Sequence, residues 1–278
     1  MQNNSQTNMK IDNQHSIPYI TTITSGKGGV GKSIIASNLA YLFANNKVKT
    51  LVWDFDLHFP NLHLIFGAEP PIRVNDVFAG RVDINKAVSK LEDNLYILAG
   101  LPGTGYSIEY DSDKFLTMFA NLITHSDFDL IIFDTSAGIS ESFLQCCNIS
   151  DLVQIVVTDE PTSLMDAYGL IKILMQYINT KKMRLLVNNV IDSEDADDIS
   201  TKLNLATAKF LRLRLDVLGY IPYGREVRQS IINQELLSSV SPDSEVVRSI
   251  NDIYKKIAPN INKIHTSFNN LDVLMDHK

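Results

Sequence analysis

The hydrophobic positions along the chain fall into two alternating kinds of segment. Short runs of Val, Ile and Leu, some of them apolar on both faces, predict strands, and longer amphipathic stretches predict helices. The predicted strands are 19–24, 50–53, 95–99, 130–133, 152–158, 184–188 and 217–220. The predicted helices are 33–45, 114–124, 141–148, 163–178, 199–211 and 245–257. This order predicts an α/β fold with a single doubly wound, mostly parallel sheet and helices on both faces.

The two ends of the chain differ from this core. Residues 1–16 are polar, rich in Asn and Gln and lack an apolar run, which predicts a disordered tail. All predicted elements lie in residues 17–258, which we expect to form one domain. In 259–278 apolar residues recur at helical spacing, which predicts a C-terminal amphipathic helix or tail. The run 193–198 is interpreted as an acidic surface loop.

Composition excludes several classes of protein. The chain has 278 residues and a net charge of −7, from 25 basic and 32 acidic residues, so it lacks a general positive field for holding DNA. No apolar run reaches the roughly 18–20 residues of a membrane span. Its two cysteines, Cys146 and Cys147, are adjacent, which excludes a disulfide scaffold and a Cys-ligated zinc site. We therefore expect a cytoplasmic protein.

A glycine-rich loop directly follows the first predicted strand. Residues 26–33 read GKGGVGKS and fit the phosphate-binding pattern GxxxxGK[ST], in which backbone N–H groups hold phosphates, Lys32 reaches the β- and γ-phosphates and Ser33 binds Mg²⁺. They also fit the dinucleotide fingerprint GxGxxG, with Asp54 as the ribose-binding acid of an NAD-dependent oxidoreductase. Because Lys32 has a task only in the first interpretation, that one is favoured. The predicted nucleotide-binding residues in the loop are Gly26, Lys27, Gly28, Gly29, Val30, Gly31, Lys32, Ser33 and Ile34.

Acidic residues follow two of the predicted strands. Asp134 ends an apolar strand and Gly138 comes shortly after it, as in P-loop enzymes that need an acid for Mg²⁺ and a glycine near the γ-phosphate. Asp54 and Asp56 end the neighbouring strand, where alternation sends both side chains to one side, and one acid near the phosphates is expected to position the attacking water. Ser33, Asp56 and Asp134 are thus the predicted Mg²⁺ groups, partly through water. Residues 17–258 are predicted to be a P-loop ATPase domain that uses ATP and Mg²⁺.

The loop contains an additional lysine, Lys27, and in this form it resembles the deviant Walker A motif of the MinD/ParA family of dimeric ATPases. The resemblance to this family extends over residues 19–257 approximately. It implies slow, partner-regulated hydrolysis in an ATP-dependent homodimer, where Lys27 reaches the phosphates of the other subunit's ATP. By the same resemblance Asp56 orients the attacking water and Asp134 is the Walker B acid. Gly138 belongs to the second switch, and Asn188 lies where family members contact the adenine. The predicted catalytic residues are Lys27, Lys32, Asp56 and Asp134.

Within that family, residues 157–168 (VTDEPTSLMDAY) are most similar to the FlhG/FleN branch. This similarity implies control of flagellar number or placement, an FlhF-like flagellar GTPase and a transcription regulator as partners, and peripheral contact of 259–278 with the inner membrane. Thr162 or Ser163 is the predicted N-cap of the helix in this stretch.

The chain departs from the branch in three places. The tail lacks an Asp-Gln-Ala…Leu-Arg element, which the branch uses to stimulate its partner GTPase. Gly224 stands where an aspartate is usual, and His63 stands in place of an acid.

The alternative hypothesis is a ParA-type chromosome or plasmid partitioning ATPase, or a polar-positioning one. Such a protein needs a basic surface for DNA, and a steep salt dependence of DNA binding would reveal it. The net negative charge disfavours DNA as a partner. The basic residues available for such a surface are Arg212, Arg214, Arg225 and Arg228.

Overall fold

The computed structural model describes residues 17–56, 59–100 and 112–261. The tail expected at 1–16 lies outside them, as does the predicted C-terminal segment beyond residue 261. The domain boundaries therefore stay predictions.

One eight-stranded sheet forms the centre of the described chain. Its strands are β1 Tyr19–Thr24, β2 Thr50–Phe55, β3 Ser89–Glu92, β4 Leu95–Leu98, β5 Leu130–Thr135, β6 Leu152–Val157, β7 Met183–Val190 and β8 Asp216–Pro222. They lie in the order β3-β4-β2-β5-β1-β6-β7-β8, and every neighbouring pair is parallel except β3 and β4. The predicted fold class is confirmed, although the edge strand β3 was not predicted.

Helices connect the strands. They are α1 Lys32–Asn45, α2 Leu62–Ile65, α3 Val74–Phe78, α4 Ile84–Ala87, α5 Ser112–His125, α6 Glu141–Ile149, α7 Pro161–Leu174, α8 Ser193–Leu211, α9 Arg225–Asn233, α10 Leu237–Val240 and α11 Glu245–Ile261. Every predicted helix is present, whereas the short helices α2, α3, α4, α9 and α10 were not predicted. In the described part of the chain, none of the helices has both the length and the apolar character needed to span a membrane.

Helices cover both faces of the sheet, and this explains the run of apolar residues at the start of β5. Leu130 and Ile132 pack in the core that contains α1 and α11, while Ile131 and Phe133 pack in the core that contains α5. Because neither face of a central parallel strand contacts water, the first four positions of β5 are apolar, and polar residues appear only where the strand ends. Strands of this kind end at a shared edge, where their polar carboxyl-terminal residues meet.

An aromatic cluster fills the core beneath α5. Trp53 is fully buried on β2, with its ring centroid 5.9 Å from that of Phe55, 5.8 Å from that of Phe115 and 5.3 Å from that of Phe133. Edge-on and tilted contacts at these distances are favourable for aromatic rings. The cluster supports the ends of β2 and β5 that carry the acidic residues.

The start of α8 corrects one prediction. The run 193–198 is the first part of a helix, not a surface loop, because α8 begins at Ser193. The Asp192 side chain caps it by accepting hydrogen bonds from the Glu194 and Asp195 N–H groups, both at 3.0 Å. Acidic side chains in a first helical turn are stabilised by the partial positive charge of the helix N-terminus. The acidic character therefore marks a helix start.

The ends of α7 and α11 correct three more predictions. The N-cap of α7 is Glu160, with Pro161 in the first helical position, so neither Thr162 nor Ser163 is the cap. Proline suits that position because its missing N–H has no partner there. The helix ends at Leu174, four residues before the predicted end. Conversely, α11 continues past the predicted end at 257 to Ile261.

Candidate functional site

The glycine loop between β1 and α1 lies at the carboxyl edge of the sheet. Gly29 and Gly31 have φ of +78° and +96°, the left-handed region that favours glycine. A Cβ on Gly26 would lie 2.3 Å from the backbone carbonyl carbon of Asp166 on α7, and a Cβ on Gly31 would lie 2.4 Å from Nδ2 of Asn188. The loop therefore needs glycine both for its turns and for its close packing.

Lys32 is held inside this loop. Its side chain is buried at the start of α1, and Nζ donates a hydrogen bond to Ser25 Oγ at 3.0 Å. Ser25 Oγ in turn donates to the Lys27 carbonyl oxygen at 2.5 Å. Burial lowers the pKa of Lys32, while the Asp134 and Asp56 carboxylates raise it. Sequence reasoning missed Ser25, although its position directly before the loop was an available signal.

Two buried acids face each other beside the loop. Asp54 on β2 and Asp134 on β5 are partners in the parallel register. Burial, and then the Asp134 carboxylate, raise the pKa of Asp54. Burial also raises the pKa of Asp134 to about 7, against the opposing influence of the Ser33 hydroxyl and Lys32. Asp134 Oδ1 is buried and has no hydrogen-bond partner among the described residues.

A cavity of about 450 Å³ lies between the loop and these strands. Lys32, Ser33 and Asp56 line it, together with Gly28, Gly29, Gly31 and Ile34 of the glycine loop. Asp54, which was expected to point to the same side as Asp56, does not line this cavity. Its carboxylate instead accepts hydrogen bonds from the Asp56 and Leu62 N–H groups, at 3.2 and 3.0 Å. It therefore orders the chain that carries Asp56.

A second, mostly apolar cavity of about 250 Å³ lies on the other side of Gly31. Asn188 lines it and donates from Nδ2 to the Val30 carbonyl oxygen at 2.7 Å. The two cavities share the lining residues Gly31, Ile34 and Ile231, so they adjoin. Asn188 thus lies beside the loop, and its predicted contact with the adenine stays a prediction.

Gly138 lies one residue away from the first cavity. Its φ is +115°, and it lines a separate cavity of about 220 Å³ with Phe55 and Phe143. The neighbouring Ala137 lines both cavities. The predicted role of Gly138 near the γ-phosphate therefore stays a prediction.

Lys27 points away from the first cavity, toward α7. Its Nζ donates to Thr162 Oγ1 at 2.9 Å and forms an ion pair with Glu160. A third of the Lys27 side chain is exposed. Sequence reasoning missed Glu160, which lies 133 positions from Lys27, and no local signal connects the two residues.

The predicted basic cluster is divided. Arg212 and Arg214 precede β8, whereas Arg225 and Arg228 lie on α9, which follows it. A strand of this length spans about 20 Å, so the two pairs lie at opposite edges of the sheet. The structure does not join them into one basic patch.

The residues present fit a phosphate group with Mg²⁺. Mg²⁺ prefers oxygen ligands, and the Ser33 hydroxyl and the Asp134 and Asp56 carboxylates offer them. The unpartnered, buried Oδ1 of Asp134 is an acceptor that a cation would satisfy. The N-terminus of α1 and the Lys32 ammonium supply the positive charge that phosphates need.

Known proteins match this fold and this loop. The family model described as the CobQ/CobB/MinD/ParA nucleotide binding domain matches residues 21–237. The antiactivator FleN of Pseudomonas aeruginosa is 28% identical over 249 residues, which cover 89% of each chain. The flagellum site-determining protein YlxH of Helicobacter pylori is 31% identical over 87% of this chain and 82% of its own.

Two solved structures show the same fold. The MinD cell division protein of Aquifex aeolicus has a TM-score of 0.70 at 26% identity, covering 87% of this chain and 97% of its own. The septum site-determining protein MinD of Pyrococcus horikoshii, complexed with Mg-ADP, has a TM-score of 0.73 at 22% identity, covering 90% of this chain and all of its own. The family match favours the phosphate-loop interpretation over the dinucleotide one. This chain belongs to the MinD/ParA family of nucleotide-binding ATPases.

Proposed function

We propose that this protein is a switch ATPase that binds ATP and Mg²⁺, dimerises with ATP and controls the number or placement of flagella through partner proteins. The observation that carries the enzymatic part is the single cavity in which Lys32, Ser33 and Asp56 meet, beside the unpartnered carboxylate oxygen of Asp134. The names and similarity of FleN and YlxH support the flagellar part.

The two adjoining cavities divide the nucleotide between them. The phosphates would lie in the larger one, against the loop N–H groups and Lys32, at the positive end of α1. The base would lie in the smaller, mostly apolar one. Because Asn188 Nδ2 already donates to Val30, its Oδ1 remains to accept a hydrogen bond from an exocyclic amino group such as that of adenine.

Ser33, Asp134 and Asp56 would hold Mg²⁺, directly or through water. When bound, Mg²⁺ neutralises charge on the β- and γ-phosphates. Asp56 is also oriented to act on a water molecule, because its Oδ1 accepts the Phe59 N–H at 2.9 Å and its own N–H donates to Asp54. A carboxylate fixed in this way positions the attacking water.

The edge of the sheet that carries the loop also carries an apolar rim. Its members are 44–79% exposed. Those that line the cavities are Leu64, Ile139, Tyr223, Ile231 and Ile232, while Phe59 donates its N–H to Asp56 and Met165 lies in α7 beside the contact with Gly26. Large exposed apolar side chains grouped around a site are typical of a protein interface. This rim supports a homodimer in which the two nucleotide sites face each other.

In such a dimer Lys27 completes the site of the other subunit. It would exchange its contacts with Glu160 and Thr162 for phosphate oxygens across the interface. A cation delivered in this way stabilises charge in the transition state, as an arginine finger does. Exposed ion pairs contribute only about 0–1 kcal/mol, so this exchange costs little.

The partners we propose are an FlhF-like flagellar GTPase and a transcription regulator, with peripheral inner-membrane contact through residues 259–278. Stimulation of the GTPase is not part of the proposal, since residues 1–16 lack the element that the FlhG/FleN branch uses for it. A partitioning role is less well supported, because the four arginines that it requires lie at two separate edges.

Light scattering tests the switch. Molar mass is measured for wild type and Asp56→Ala, each with ADP–Mg²⁺ and with ATP–Mg²⁺, and Asp252→Ala, an exposed acid on α11, is the control. We expect Asp56→Ala to form a dimer with ATP only, and the double variant with Lys27→Ala to dimerise more weakly. A monomer in every state would refute the dimeric switch.

Flagellar counting tests the output. In a deletion strain of the source organism, wild-type protein should restore the normal flagellar number and position, whereas Lys32→Ala should not. Unchanged flagella in the deletion strain, despite an intact ATPase in vitro, would refute the flagellar role and leave the enzymatic proposal standing.

A further inference from the structure

A cavity of about 590 Å³ lies at the opposite, amino edge of the sheet. It opens between the first residues of β1, β6, β7 and β8 and the end of α11. None of its lining residues lines the cavities around the glycine loop. Its size is that of an ordinary small-molecule site. We call it the amino-edge pocket.

The lining of the amino-edge pocket is cationic. Lys181, Arg184 and Lys256 contribute positive charge, and Asp151 is the acid among the lining residues. This excess is notable in a chain with a net charge of −7. Like charges that converge from β7, the turn just before it and α11 repel each other unless an anion joins them, so the arrangement suits a negatively charged ligand.

Backbone carbonyl groups hold two of these cations, and among the described residues only Arg184 of the three also has an acidic partner, Asp216. Arg184 donates from one guanidinium nitrogen to the carbonyl oxygens of Lys181 and Met183, at 2.7 and 2.8 Å, and Lys256 Nζ donates to the Leu218 carbonyl oxygen at 2.6 Å. Carbonyl oxygens fix these groups in place without cancelling their charge. Arginine has five N–H donors and lysine three, so each keeps donors for a ligand.

The acids near the pocket are already engaged. Asp151 Oδ2 accepts the Ile20 N–H at 2.9 Å, and the burial of its carboxyl raises its pKa. The largely exposed Asp216 lies 3.6 Å from Arg184, outside the lining of the pocket. Arg184 therefore shares its charge with one exposed acid, whereas Lys181 and Lys256 form no ion pair with any acid in the described part of the chain.

The other groups that line the pocket could contact the uncharged part of an organic anion. Tyr19 lines the pocket, and none of the described residues forms a hydrogen bond with its hydroxyl. Burial, and then Asp151, raise the pKa of Tyr19, so the hydroxyl stays a donor at neutral pH. Leu152, Val217 and Ile257 add an apolar wall.

We propose that the amino-edge pocket binds a small organic phosphate monoester. The phosphate, which carries close to two negative charges at neutral pH, contacts Arg184 and Lys256, with Lys181 at the mouth of the pocket. The Tyr19 hydroxyl and the apolar wall contact the organic part. This site is independent of the proposed ATPase activity.

Ribose 5-phosphate serves as the test ligand, with ribose as its uncharged counterpart. Binding to the full-length protein is measured by calorimetry with the glycine loop saturated by ADP–Mg²⁺, so that phosphate cannot enter there. We expect ribose 5-phosphate to bind, ribose not to bind, and added salt to weaken the binding.

Variants then locate the binding. Arg184→Gln and Lys256→Gln should each weaken ribose 5-phosphate binding about tenfold or more, since each removes charge-assisted hydrogen bonds. Lys255→Gln, on α11 but paired with Asp252, is the matched control and should bind as wild type does. Unchanged ADP affinity in each variant shows that the protein is folded.

Three results would refute the amino-edge pocket as a phosphate site. One is no detectable binding of ribose 5-phosphate to wild-type protein. Another is equal binding of ribose, because the phosphate is then not recognised. The last is binding that Lys32→Ala abolishes while Arg184→Gln leaves it intact, because the ligand then lies at the glycine loop.

Discussion

Two parts of the glycine loop hold their lysines in contrasting ways. At its inner end, Lys32 is buried and bound to Ser25, within a few residues of its own loop. At its outer end, Lys27 is a third exposed and bound to Glu160 and Thr162 of a distant helix. The inner lysine is built into the proposed nucleotide site of its own chain, whereas the outer one is held by contacts that can be exchanged.

The two lysines differ in the free-energy cost of leaving their partners, because they differ in burial. A buried charge is costly to leave without partners, so Lys32 has no alternative to its site. A half-exposed pair gains little and is screened by salt, so Lys27 can leave Glu160 readily. We therefore expect changes at the inner lysine to affect binding, and changes at the outer one to affect turnover and dimerisation. Four predictions test this contrast, from the largest effect to the smallest.

Lys27→Ala should lower the rate of ATP hydrolysis about 10³-fold and leave the ADP affinity within about threefold of wild type, because a charge supplied in trans acts in the ATP-bound dimer and its transition state and not on ADP bound to a single subunit. Phosphate release and ADP titration measure the two quantities. Lys86→Ala, on α4, is the control. If the ADP affinity fell by as large a factor as the hydrolysis rate, Lys27 would act in the site of its own chain, which would contradict the proposed difference between the two lysines.

Lys32→Ala should lower the ADP affinity about 10–100-fold, the value of losing charge-assisted hydrogen bonds to phosphate, and should abolish the ATP-dependent dimer. Calorimetric titration with ADP–Mg²⁺ measures the affinity. An affinity close to that of wild type would place the phosphates elsewhere.

Ser25→Ala should lower the free energy of unfolding of the nucleotide-free protein by about 1–3 kcal/mol, because the buried Lys32 ammonium loses its hydrogen-bond partner. The cost should shrink with bound ADP, whose phosphates replace that partner. Denaturant titrations with and without ADP–Mg²⁺ measure both. In the control Ser37→Ala, the lost hydrogen bond is to Ile34 within α1, so its cost should not depend on nucleotide.

Glu160→Gln should strengthen ATP-dependent dimerisation by up to about fivefold, since it removes the charge that holds Lys27 on α7. Sedimentation at several protein concentrations gives the dimer midpoint. The neighbouring Asp159→Asn is the matched control and should have no effect. An unchanged midpoint in Glu160→Gln would mean that the ion pair does not restrain Lys27.

Strands with a strong local signal were predictable, and those without one were not. β5 is apolar at consecutive positions because both of its faces are covered, and this pattern is typical of a central parallel strand. β3 was missed because it lies at the sheet edge, where Ser89–Glu92 alternates partly buried and exposed positions over four residues. The start of α8 was missed because acids suit both a loop and a capped helix start.

In the candidate site, too, residues that belong to a local sequence pattern were predictable, whereas contacts between distant segments were not. Lys32 and Ser33 lie in one short motif, and Asp134 ends a recognisable strand, so local sequence located all three. The contacts of Lys27 with Glu160 and of Asn188 with Val30 join segments that are 133 and 158 positions apart. They depend on how the helices pack against the loop, which no local pattern expresses.

Trp53 is the sole tryptophan of the chain, and its position makes it an internal optical reporter. It is fully buried among Phe55, Phe115 and Phe133, directly before Asp54. Its fluorescence therefore follows the ends of β2 and β5, which carry the acids of the proposed Mg²⁺ site. Rearrangement of these strand ends on nucleotide binding should change its emission in the unlabelled protein, and unfolding should shift that emission to the red.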